Sequence, residues 1–88
     1  MVRSIPKNLL EKFALLYAKK GTSEFRFQEA EAILGETRSY IGQILPKLVE
    51  AGWLEKKVDP EDGRRKIYRI VDPDVILCQL GQDLGDEN

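Results

Sequence analysis

The sequence predicts an α+β domain with a three-helix core, a small antiparallel β-hairpin and an extra C-terminal helix. Three observations predict it. Apolar residues recur at helical spacing in separate stretches, two β-rich runs flank an Asp-Gly turn, and glycines fall where the helical patterns stop. At 88 residues the chain holds one core and little else.

Ser4-Ile5-Pro6 reads as a helix start, with Ser4 as N-cap and a proline in the first turn. Leu9, Leu10, Phe13, Leu16 and Tyr17 follow at helical spacing, and Lys19, Lys20 and Gly21 suit a helix C-terminus, which predicts a first helix over about 5–20. Phe25 and Phe27 alternate with charged neighbours over residues 22–27, the period of a short strand. A two-turn helix, 28–34, is then stopped by Gly35. Thr37 is a good N-cap for the next helix, about 38–51, whose apolar positions are Ile41, Ile44, Leu45, Leu48 and Val49. Pro46 lies inside this helix and removes a donor to Gly42, so a bend or a break is expected there. Residues 53–58 and 66–71 read as strands around the turn Asp59-Pro60-Glu61-Asp62-Gly63-Arg64-Arg65. The core should be closed by Phe25 or Phe27, Leu54, Tyr68 and Ile70. A last helix starts near Asp72-Pro73-Asp74, carries Val75, Ile76, Leu77, Leu80 and Leu84, and gives way to a polar, frayed Gly85-Asp86-Glu87-Asn88. The chain thus divides into a body, 1–71, and a C-terminal helix with an acidic tail, 72–88.

The formal net charge of −1 hides a gradient. Residues 72–88 carry five acidic groups and no basic one, while residues 1–71 carry fourteen basic groups against ten acidic, a balance of +4. With no histidine and one cysteine, a His or Cys zinc site and a histidine-dependent nucleophile are both unavailable, and no cofactor is expected. Acidic residues are scattered rather than paired, so an enzyme is not expected either. A lone Cys78 forms no internal disulfide, and no apolar run approaches the roughly 18 residues of a membrane span. These features point to a cytoplasmic binding module with no membrane contact.

Two short helices meeting through a tight glycine-containing turn and followed by a hairpin form a winged helix-turn-helix. The run Thr37 to Glu55 resembles the recognition helix and second strand of MarR-like and related regulators, and the segment Asp59 to Lys66 is similar to their Asp- and Arg-rich wing. The resemblance covers roughly residues 8–71 and implies a small prokaryotic transcriptional regulator that binds double-stranded DNA. In the helix-turn-helix mode, Arg38, Ser39, Tyr40, Gln43 and Lys47 would reach the major groove, with Thr37 as cap or phosphate contact. Arg64, Arg65 and Lys66 would lie on the backbone or in a minor groove, unless the arginines pair with Asp59, Glu61 or Asp62. Arg26 is the weakest of the basic candidates. Glu29 and Glu31 run against the pattern, since they would repel phosphates unless turned away. Leu77, Leu80 and Leu84 fit either a homodimer seam or a fourth core element. The alternative to DNA binding is a protein-interaction winged helix within a larger complex or longer chain.

Overall fold

The computed structural model describes residues 2–86, and the elements run α1 (Lys7–Lys20), β1 (Glu24–Arg26), α2 (Phe27–Leu34), α3 (Arg38–Glu50), β2 (Leu54–Val58), β3 (Lys66–Ile70) and α4 (Pro73–Asp86). The first helix starts later than expected. Its N-cap is Pro6, which offers no side-chain cap, and Ser4 lies upstream in an extended arm. The reason is a long-range one. The Arg3 N–H donates to the Ala51 carbonyl at 2.8 Å and Val2 is buried, so the arm docks against the end of α3 instead of winding into α1.

Phe27 likewise leaves the expected strand and opens α2, because β1 pairs only over Glu24–Arg26. Gly35 closes α2 in the left-handed region, φ 63° and ψ 30°, and its N–H donates to the Glu31 carbonyl at 2.9 Å. The three strands form one antiparallel sheet of order β1-β3-β2, with Phe25 opposite Tyr68 and Leu54 opposite Ile70. The hairpin is therefore braced along β3 by a third strand. Phe25, Leu54, Tyr68 and Ile70 are all buried, whereas Phe27 is only partly so.

The core lies between the helices and one sheet face. Leu16, Ile41, Leu45 and Leu48 are fully buried, and the Phe13 and Trp53 rings meet edge to face at 5.0 Å. Helix α3 runs unbroken through Pro46. Gly42 and Pro46 are both exposed, so the carbonyl that lacks its usual donor is open to water. Helix α4 contributes Ile76, 1% exposed, to the core, and Leu80 packs partly buried against it. It also extends through Gly85 to Asp86, further than the polar composition suggested; Glu87 and Asn88 lie outside the described residues.

Candidate nucleic-acid interface

The geometry around α3 follows from its period. Ile41, Ile44, Leu45 and Leu48 take one side and are buried. Ser39, Gln43, Pro46 and Glu50 occupy the opposite side and are exposed. The helix is started by Thr37, whose hydroxyl oxygen accepts from the Tyr40 N–H at 3.2 Å. Arg38 follows in the first turn, its guanidinium 5.8 Å from the centre of the Phe27 ring.

The wing is held by its aspartates. Asp59 is 6% exposed, and its carboxylate accepts from the Glu61 N–H at 2.9 Å and pairs with Arg26 at 2.6 Å. Those contacts, the Glu61 N–H foremost, hold its carboxyl below the ordinary range against the opposing effect of burial. The Asp62 carboxylate accepts from the Arg64 N–H at 3.0 Å, so a second side chain to backbone bond shapes the tip. The expected pairing within the wing is thus corrected in part. Asp59 takes Arg26, which β1 brings alongside β3 opposite Ile67, and Arg65 alone of the wing arginines pairs, with Asp62 at 3.4 Å.

Two clefts flank α3. The wing-side cleft, about 420 Å³, is lined among others by Arg26, Arg38, Arg64, Arg65, Lys66 and Tyr68. Gly42 and Pro46 form its α3 wall, and Tyr68 stacks on Phe25 beneath it, with burial pushing the phenol above its ordinary range. The opposite cleft lies between α3 and the N-terminal arm and is lined by Arg3, Tyr40, Gln43, Lys47 and Glu50, among others.

The structure therefore divides the residues singled out from sequence. Arg38, Arg64, Arg65 and Lys66 share one cleft, Tyr40, Gln43 and Lys47 share the other, and Ser39 is exposed on α3 without lining either. Arg3, Gln28 and Glu50 were not singled out by the sequence reading, yet they line these clefts. Glu50 was visible on the helical wheel, but nothing local to Arg3 signals that its backbone docks on residue 51.

Most of the cations lining the two clefts have no carboxylate partner among the described residues. Among the described residues, Lys12, Lys20, Arg26, Lys57, Arg65 and Arg69 are paired with carboxylates. Arg3, Arg38, Lys47, Arg64 and Lys66 form no ion pair there, and all five line the two clefts; Lys7, Lys19 and Lys56 are likewise unpaired but line neither. Two of the acidic residues near α2, Glu29 and Glu36, are engaged by other partners. Glu29 accepts from the Arg26 N–H at 2.8 Å and from Lys20 at 3.2 Å, contacts that lower its carboxyl, the backbone bond most. Glu36 is taken by Lys12 at 2.8 Å, a bond that raises the Lys12 ammonium above its ordinary value.

Residues 34–72 match the model of a winged helix DNA-binding domain. The chain is 35% identical over 69 residues to the Type I restriction enzyme MjaVIII methylase subunit of Methanocaldococcus jannaschii, a match covering 78% of this chain and 12% of that one. Among solved structures it is similar to an S. aureus MepR–DNA complex, with TM-score 0.65 and 20% identity over 94% of this chain and 66% of that one. It is also similar to an E. coli MarR variant complexed with operator DNA, with TM-score 0.65 and 20% identity over 96% of this chain and 61% of that one. The chain is thus a winged helix-turn-helix domain. Its fold is shared with the MarR and MepR structures, with α2 and α3 as the helix-turn-helix and β2–β3 as the wing. It spans about an eighth of the methylase subunit it resembles and somewhat under two thirds of the MarR structure.

Proposed function

We propose that this domain binds double-stranded DNA as a small transcriptional regulator, with α3 seated in the major groove and the wing against the flanking backbone or minor groove. One observation carries the reading: five of the eight cations that lack a carboxylate partner among the described residues lie on the two sides of the exposed face of α3. Unpaired cations around a protruding helix suit a polyanion whose counterions they displace. Ser39 and Gln43 are then the groove-facing residues, Gln43 being suited to adenine and Arg38 to guanine. Arg64, Arg65 and Lys66 supply phosphate or minor-groove contacts, while Thr37 serves first as the helix cap. The test is fluorescence anisotropy on duplexes of about two helical turns. Five phosphate contacts give a log–log salt slope of about −4.5. Gln43→Ala should alter sequence preference, whereas Arg64→Ala should weaken all sequences alike. No binding at ~50 mM salt sinks the proposal.

The C-terminal helix bears on how the domain is used. Leu77 and Leu84 are each 64% exposed, which suits a homodimer seam, while Leu80 is partly buried against its own core. Two domains related by a two-fold axis would present their α3 helices about 34 Å apart, one turn of duplex. The match to a small part of a methylase subunit favours a second reading, in which this module works inside a longer chain or larger complex. Light scattering with and without residues 72–88 separates the two readings. A mass that halves on deletion supports the dimer, and a monomer in both supports the module.

A further inference from the structure

The flank of α3 away from the wing has a feature that the helix and wing do not account for. The arm before α1 is pinned at residue 3. The Arg3 N–H donates to Ala51 at 2.8 Å, the Arg3 carbonyl accepts from Trp53 Nε1 at 2.6 Å, and the neighbouring Val2 is 7% exposed. The backbone is thus fixed on both sides while the side chain is exposed. Arg3 lines the arm-side cleft with Lys47, and among the described residues neither forms an ion pair. Holding an arginine on an anchored backbone lowers the entropy lost when its guanidinium engages an anion.

We infer that this cleft is a second phosphate site, where Arg3, supported by Lys47, contacts the DNA strand opposite to the one the wing contacts. The inference rests on the DNA-binding reading above and adds a contact from outside the helix-turn-helix and wing. Its basis is dimensional. A helix with its side chains is about 10–12 Å across and the major groove about 12 Å wide. A helix filling the groove therefore has one phosphate strand on each flank. The wing-side cleft meets one strand with Arg64 and Lys66, and the arm-side cleft meets the other with Arg3 and Lys47. Glu50 lies in the arm-side cleft and opposes them, so this flank is the weaker of the two.

The test uses the full chain and duplexes with single neutral methylphosphonate linkages on either strand. Wild type should lose affinity at positions on both strands. Arg3→Ala keeps both backbone hydrogen bonds and should fold normally. It should bind about 3–10-fold more weakly, with a salt slope shallower by about 1. The sensitive positions of one strand should fall silent, whereas Arg64→Ala should silence positions on the other. Arg3→Lys should restore the slope, and Glu50→Gln should raise affinity about 2–5-fold by removing the opposing charge. Arg3→Ala with unchanged slope and map, in a protein that binds duplex, overturns the arm contact and leaves the DNA reading intact. Silencing of the same strand by Arg3→Ala and Arg64→Ala also overturns it. Wild type that fails to bind at ~50 mM salt overturns the DNA reading and this inference together.

Discussion

On the α1–α2 shoulder, Lys12 reaches Glu36 at 2.8 Å and Lys20 reaches Glu29 at 3.2 Å. Around α3, Arg38, Lys47, Arg64 and Lys66 face clefts without a carboxylate partner among the described residues. The two regions carry the same residue types and use them in opposite ways. Partnered surface charges contribute little net free energy, about 0–1 kcal/mol a pair, and leave little field for a ligand. Unpartnered cations crowded beside one helix leave a field that an anion can neutralise. A total charge near zero is therefore compatible with a nucleic-acid face, because five acidic groups lie in the tail and six others are held in ion pairs.

The contrast can be broken first at Arg38. Arg38→Ala removes an unpaired cation from the wing-side cleft and the proposed guanine contact. It should cost about 1–3 kcal/mol of specific binding, roughly 5–150-fold, in anisotropy against a preferred duplex. An unchanged affinity would mean that the unpaired cations are not the binding face.

The second test concerns Asp59, a buried carboxylate at the base of the wing. Asp59 ties the wing to Arg26, and its folded-state pKa is lowered, as is that of Glu29. A lowered folded value means that the stability they add is fully present above the ordinary carboxylate range. It is lost as pH falls through that range to the lowered folded values. Thermal melts should be flat from about pH 7 to 5 and fall below about pH 4. Asp59→Asn should reduce that acid-induced fall, lower the melting temperature at pH 7 and weaken DNA binding by loosening the wing. A full acid-induced fall in the variant would place the sensitivity elsewhere.

The smallest effect is expected on the shoulder. Lys20→Ala deletes a charge of the same sign as Arg64, yet it should change duplex affinity less than about two-fold and stability by about 0.5 kcal/mol or less. A loss as large as that from Arg64→Ala would show that net charge, not its pairing, governs binding.

Much of this architecture was legible residue by residue. The 3.6-residue recurrence of Ile41, Ile44, Leu45 and Leu48 gave α3 and its outward face. Asp62-Gly63 between β-rich runs gave the wing, and Thr37 and Gly35 gave the boundaries of the turn. These signals are local, because hydrogen-bond periodicity and glycine or cap preferences act over a few residues. The start of α1, the fate of Phe27 and the role of Arg3 were not legible. Each depends on a partner distant in sequence: Ala51 for Arg3, and Arg69, Tyr68 and Ile67 for the three-residue strand that leaves Phe27 to α2.

The sequence by itself determined the element order, the buried stripe of α3 and the set of basic residues available for binding. Only the tertiary structure decided which of those residues remain unpaired and which flank of α3 each occupies. The physical reason is that periodicity fixes the direction of a side chain about its own helix or strand. Whether a charge meets a carboxylate depends on which element packs across from it, as Lys20 meets Glu29 and Arg26 meets Asp59.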